Sequence, residues 1–420
     1  KVMTGTLKPI LGYLMLAAGA GVIVNNLDPL GKMIEHGFHI TGVVPNNEAI
    51  VAVAQKVLGV ETMSILVVGL LMNLCIARFT KFKYVFLTGH HSLFMACLMS
   101  AVLGTAGLSG MELILVGGFL MGAWSAISPA IGQSYTSKVT DGDEIAIGHF
   151  GSLGYYLSAW VAKYVGKAED STEDIEIPEK WGFLRDSTLS TALTMIVFYL
   201  IAAFAAGSEF VATLSGDMSP YLYAVMSAMN FAVGVTIVYS GVRMILGDLI
   251  PAFQGIATKI IPNAIPAVDC AVFFTYAPTA VVLGFLSSFI GGIIGMLILG
   301  AVGGVLIIPG LVPHFFCGAT AGIYGNATGG RRGAAVGAFL NGLAITFLPA
   351  LALPVLGQLG FQNTTFGDAD FAVMGLVLGN AYEWVGMAGI YGIVAIAALV
   401  LIIPNFIKTK GKVINYVEED

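Results

Sequence analysis

The sequence predicts an all-α polytopic membrane protein built from two structural repeats, with helices that break or re-enter. Three observations predict it. Of 420 residues, 57% are hydrophobic and only 10% charged, at a mean hydropathy of +0.88, whereas soluble domains carry about 25% charged residues. Apolar runs long enough to cross about 30 Å of hydrocarbon, roughly 20 residues each, recur along the chain. Finally, the chain repeats itself: Gly117-Gly118-Phe119-Leu120-Met121-Gly122 returns as Gly337-Ala338-Phe339-Leu340-Asn341-Gly342, and Pro129-Ala130 returns as Pro349-Ala350.

The spans are read in order near residues 10–26, 61–77, 84–105, 111–136, 189–213, 219–242, 271–292, 293–313, 333–356 and 384–407, which makes about ten crossings. Runs near 36–60 and 142–165 are too polar or broken to cross and are read as re-entrant. Further pairs support the duplication: Lys8-Pro9-Ile10-Leu11-Gly12 with Arg243-Met244-Ile245-Leu246-Gly247, Val44-Pro45 with Ala277-Pro278, Leu87-Thr88-Gly89-His90 with Leu311-Val312-Pro313-His314, and Gly142-Asp143 with Gly367-Asp368. The expected organisation is a first repeat at 1–165, a hydrophilic cytoplasmic linker at 166–188, connecting spans at 189–242, a second repeat at 243–407 and a cytoplasmic tail at 408–420. An odd number of spans per unit would invert the second copy, and symmetry predicts a further span ahead of Lys1. Such duplication in a membrane protein points to a transporter with its site at the repeat interface.

Basic residues set the orientation. Arg78, Lys81 and Lys83 flank one loop, Lys163, Lys167, Lys180 and Arg185 another, and Lys408, Lys410 and Lys412 follow the last span, so these segments are expected in the cytoplasm with the C-terminus. Arg331 and Arg332 leave their side open. The net charge of −6 is spread over loops and tail and points to no nucleic acid. Cys75, Cys97, Cys270 and Cys317 stand singly in or beside apolar runs and read as packing residues.

Ionisable residues at membrane depth cost a few kcal/mol each, so they are the functional candidates. His90 and His91 follow Thr88-Gly89, and neighbours on a helix face different ways, which favours His90 as the one facing a ligand. His149 lies in a broken stretch after Asp141, Asp143 and Glu144; His314 reads as a structural echo of His90. Asp269 opens an apolar run, where it can cap a helix and still offer an oxygen. Asn47 and Glu48, after Pro45, present amide and carboxylate oxygens suited to hydroxyl groups. No pair has the i, i+4 or C-x-x-C spacing of a metal site, and no phosphate-binding glycine loop or nucleophile beside a base is found. Neither metal nor cofactor is expected, and no catalytic residue.

The motifs Thr88-Gly89-His90, Val139-Thr140-Asp141-Gly142 with Ile147-Gly148-His149, Gly241-Val242-Arg243-Met244, Ala267-Val268-Asp269-Cys270 and Ala277-Pro278 resemble those of enzyme IIC, the membrane component of the ascorbate-specific phosphotransferase system. The resemblance runs nearly end to end. It implies a homodimer in the bacterial inner membrane, each protomer having a core domain and a V-shaped motif domain built from inverted repeats with eleven spans. It implies that L-ascorbate is held between the domains and released inward as the core moves, to be phosphorylated by a cytoplasmic IIB protein served by IIA. By the same resemblance the substrate-binding positions are Asn47, Glu48, His90, His91, Ser92, Leu93, Phe94, His149, Phe150 and Asp269. Phe94 and Phe150 stand where some relatives carry glutamine, offering ring faces instead of hydrogen bonds, and Asn47-Glu48 replaces a Thr-Tyr pair. On the residues alone, an ion-coupled secondary transporter of a sugar acid or polyol is the alternative.

Overall fold

A computed structural model describes residues 2–39, 42–45, 47–175, 187–259, 261–357 and 364–406. In chain order the first part holds α1 (Val2–Gly37), β1 (Val44–Pro45), α2 (Asn47–Phe79), β2 (Tyr84–Phe86), α3 (Gly89–Thr105), α4 (Gly110–Thr140), β3 (Ala146–Ile147) and α5 (Ser152–Val165). Then come α6 (Ser187–Ala206), α7 (Ser208–Ser215), α8 (Pro220–Lys259), β4 (Ile265–Val268), a 3-10 helix (Cys270–Thr275), α9 (Pro278–Ala301), α10 (Leu311–Gly357), β5 (Thr364–Thr365), α11 (Ala369–Val385), α12 (Met387–Ile402) and a last 3-10 turn (Ile403–Phe406). The tail at 408–420 and the linker residues 176–186 lie outside the described residues.

Among the described residues, seven helices are long and apolar enough to cross a membrane, or eight if the α6–α7 pair, bent by 116°, is one broken span. This corrects the reading of about ten spans. The two runs at 271–292 and 293–313 share one membrane-length helix, α9, flanked by a 3-10 helix and an extended stretch. The run at 84–105 opens as strand β2 and leaves α3 only 17 residues, at the lower limit for a crossing. Hydropathy registers apolar burial, and burial against protein looks the same as burial in lipid. The polar run at 142–165 is broken as read, into β3, a turn and the 14-residue α5.

α10 is two arms joined by a reversal at Gly329-Gly330. Gly330 has φ 60° and ψ −156°, a region open essentially to glycine alone. A Cβ on Gly325 would lie 2.4 Å from the Gly333 carbonyl, so the two arms run back against each other. Residues 166–175 close over this tip: the Arg331 amide donates to the Asp170 carbonyl, the Thr172 amide to Asn326 Oδ1, and Asn326 Nδ2 to Ser171. Arg331 and Arg332 therefore lie on the same side as Lys167. Nearby, Glu173 accepts from the Thr279 and Ala280 amides, a carboxylate set on the positive N-terminus of α9.

The α9–α10 packing rests on small residues. A Cβ on Gly342 would fall 2.0 Å from the Ser288 carbonyl oxygen, and one on Gly291 would fall 2.2 Å from that of Phe339. Close helix approach of this kind is how membrane helices gain contact without a hydrophobic driving force. Gly342→Ala is expected to push the helices apart and destabilise the protein by about 1–3 kcal/mol. An unfolding curve in detergent superimposable on that of the parent would show the contact to be dispensable.

Two short parallel sheets tie distant parts of the chain together. β4 lies between β2 and β3, with Tyr84 opposite Ile265 and Ile147 opposite Val268. β1 pairs with β5, Val44 opposite Thr364, and Val43 also bridges to Ile307. Buried side chains form two main cores. One gathers α1, α5–α9 and most of α10, with Tyr135 of α4; the other gathers α2–α4, the end of α10, α11 and α12.

Candidate functional site

The parallel sheets determine where polar residues end up. β2, β3 and β4 all point the same way, so their C-terminal ends release the chain at one place, and each leads at once into a helix: α3, α5 and the 3-10 helix. Helix N-termini carry free N–H groups and a partial positive charge, which suits anionic or hydroxyl-rich ligands. Thr88, the N-cap residue of α3, makes no side-chain cap bond. The Thr88 hydroxyl, in a residue 3% exposed, has no partner among the described residues.

Four of the sequence candidates meet here. His90 Nε2 lies 3.4 Å from Asp269 Oδ2, and the His90 side chain is 45% exposed, open to a ligand. Asp269 also caps its helix, Oδ1 accepting from the Ala271 amide at 3.0 Å, which leaves Oδ2 facing His90. His149 is buried; the Tyr155 hydroxyl lies 2.8 Å from its Nδ1 and the Gly151 amide donates to the same nitrogen at 3.1 Å. Burial lowers the pKa of the His149 imidazole, against the opposing pull of the Asp368 and Asp269 carboxylates, and so favours a neutral ring that can donate and accept. His91 is buried under His149, ring centroids 3.7 Å apart, and its Nδ1 accepts from the Phe150 amide. Of the adjacent pair, His90 is the one that opens outward.

Ser92, Leu93, Phe94, Phe150 and Asn47 are packed or bonded within the protein around this junction. Ser92 is buried, its hydroxyl donating to the Thr88 carbonyl. Leu93 packs on the second core. Phe94 is buried with its ring 5.8 Å from that of His90 and 5.6 Å from that of His91. Phe150 is fully enclosed, stacked on Phe86 at 4.5 Å, and contributes through its backbone, its carbonyl accepting from the Asp370 amide. Asn47 uses both ends of its amide within the protein: Nδ2 donates to Asp368 Oδ2 at 2.6 Å and Oδ1 accepts from the Gly367 amide at 2.9 Å. Glu48 lies in the first turn of α2. His314 is buried and bonded to Ser288, 2.9 Å away.

The structure adds residues that the sequence reading passed over. Asp368 is 4% exposed and accepts from Asn47 and from the Cys317 thiol at 2.6 Å. Cys317 is thus a polar partner and not merely a packing residue. Asp370, fully buried, accepts from Ser152 at 2.8 Å, the Leu153 amide at 2.9 Å and Trp124 at 3.2 Å, joining α4, α5 and α11. Gly367-Asp368 was visible as a repeat fragment, a signal of position but not of contact. The ligand-capable atoms of His149, Cys317 and Asp368 lie within 4.8 Å of one another, as do those of His149, Asp269 and Cys270. Sequence spacing missed both groups because their members come from separate segments.

A helical membrane protein whose strand ends and helix N-termini bring polar side chains to one buried junction is a membrane transport protein in architecture. Within that class, residues 1–370 match the family model of the PTS system sugar-specific permease component, EIIC-GAT, and the chain belongs to that family. It is similar to the ascorbate-specific PTS system EIIC component of Mycoplasma pneumoniae (strain ATCC 29342 / M129), 27% identical over 386 residues, which cover 77% of this chain and 57% of that protein. The chain thus spans less than two thirds of the length of that relative.

Proposed function

We propose that this chain is a IIC permease of the phosphoenolpyruvate-dependent phosphotransferase system that takes up L-ascorbate across the bacterial inner membrane, C-terminus inside, for phosphorylation by a cytoplasmic IIB partner served by IIA. The observation that carries the reading is the meeting of His90, His149 and Asp269 at the N-termini of α3, α5 and the 3-10 helix. A neutral imidazole can donate to or accept from enediol oxygens, and the positive ends of the helices favour the delocalised negative charge of the ascorbate anion. The name of the Mycoplasma relative supports the choice of substrate.

In this reading the chain is two inverted copies, at 1–165 and 243–407, and works as a homodimer whose core moves relative to a V-shaped domain, for which the long crossing helices α1 and α8 are the candidates. The sheets support the duplication. In one, β4 of the second copy sits between β2 and β3 of the first; in the other, the β1 segment of the first copy meets β5 and Ile307 of the second. Such an exchange is what a two-fold related pair would produce.

The test is uptake into membrane vesicles with and without phosphoenolpyruvate and the soluble phosphotransferase proteins. Labelled ascorbate should accumulate as its phosphate only in the complete system. Accumulation of the free form on an ion gradient would replace this reading with the ion-coupled transporter.

A further inference from the structure

Behind the exposed His90 and the partly buried Asp269, the junction contains a second, more deeply buried set of groups, of which only His149 belongs to the proposed substrate site. Asp368 is buried, and its described partners, the Asn47 amide and the Cys317 thiol, are both neutral donors. Buried carboxylates are ordinarily paired with a cation or bound to a metal. Within 4.8 Å of it and of each other lie the Cys317 sulfur and the His149 imidazole, all three residues buried, while Asp269 and Cys270 form a second group around the same imidazole. A thiol, an imidazole and a carboxylate together are the donor set of borderline-soft divalent metals, not of magnesium or calcium.

We propose that His149, Cys317 and Asp368 form a binding site for a borderline-soft divalent cation of the zinc type. Tetrahedral zinc, with bonds of about 2.0–2.3 Å, places neighbouring donors roughly 3.3–3.8 Å apart. The 2.6 Å contact between Cys317 Sγ and Asp368 Oδ1 is held by the thiol proton. Binding releases that proton to solvent, leaves a thiolate on the metal and opens the contact by about 1 Å, a side-chain adjustment. Because His149 also belongs to the proposed substrate site, a bound metal blocks that site.

The experiment titrates Co2+ into the detergent-purified full chain and reads the thiolate-to-cobalt charge-transfer absorption, without substrate. One equivalent should saturate the band, and Zn2+ should bleach it. Cys317→Ser should abolish it, Asp368→Asn should lower Co2+ affinity at least tenfold, and the exposed Cys75→Ala should leave it intact. If Cys317→Ser does not fold, loss of the band in His149→Gln serves in its place. No band in the folded parent protein, or a band that survives in Cys317→Ser, overturns the proposal. Either result leaves the ascorbate reading to its own uptake experiment.

Discussion

Asp269→Asn is expected to weaken ascorbate binding by about ten- to a hundredfold while leaving the fold intact. The two carboxylate oxygens have separate duties: Oδ1 accepts from the Ala271 amide, and Oδ2 faces His90 at 3.4 Å. Asparagine keeps an oxygen for the cap but places an NH2 group where a ligand hydroxyl or the His90 ring needs an acceptor. A hydrogen bond to a charged group is worth about 1.5–3 kcal/mol, which converts to the stated range at about 1.4 kcal/mol per tenfold. Binding is read by calorimetry or scintillation proximity with the purified protein, with the thermal unfolding curve as the control for folding. Unchanged affinity in a folded Asp269→Asn protein would remove Asp269 from the proposed site.

Asp370→Ala should destabilise the protein by about 3 kcal/mol or more. Its carboxylate satisfies three buried donors, from Ser152, Leu153 and Trp124, and each buried donor left unpaired costs about 1–3 kcal/mol. Trp124 gives a local fluorescence signal for the loss. There is a pH consequence as well, because Asp370 lies outside the spanning helices and burial raises its pKa to about 7, against the lowering effect of its three donors. The unfolded value is about 3.9. Between roughly pH 4 and 7 the folded state therefore holds a proton that the unfolded state has released, and stability falls as pH rises through this window. Asp370→Asn should flatten that part of the profile; an equal slope in both proteins would assign the pH dependence to other groups.

Much of the site was legible because its residues follow local signals. Thr88-Gly89-His90, Ile147-Gly148-His149 and Val268-Asp269 each place a polar group directly after a short apolar stretch, and those stretches are β2, β3 and β4. What the sequence could not show is which polar groups share a partner. Cys317 looked like packing because a single cysteine in an apolar run carries no spacing signal; its contact with Asp368, 51 residues away, depends on the α10 hairpin and on β5. Asn47 read as free to meet a ligand, and its amide is instead committed to Gly367 and Asp368, more than 300 residues on. The apolar run at 84–105 was read as a crossing because hydropathy sums composition without seeing that β2 and a short helix divide it.

By itself the sequence determined that this chain is a polytopic helical membrane protein of the phosphotransferase permease kind, and that His90, His149 and Asp269 are residues to weigh. Composition and short motifs are local properties, and the cost of placing backbone and charge in hydrocarbon acts on each segment separately. Only the tertiary structure decided that His149 lies beside Cys317 and Asp368, that His91 turns inward while His90 opens, and that Asp370 joins three helices. Those outcomes depend on parallel strands from distant parts of the chain ending at one point, a non-local pairing that leaves no periodic trace in the residues themselves.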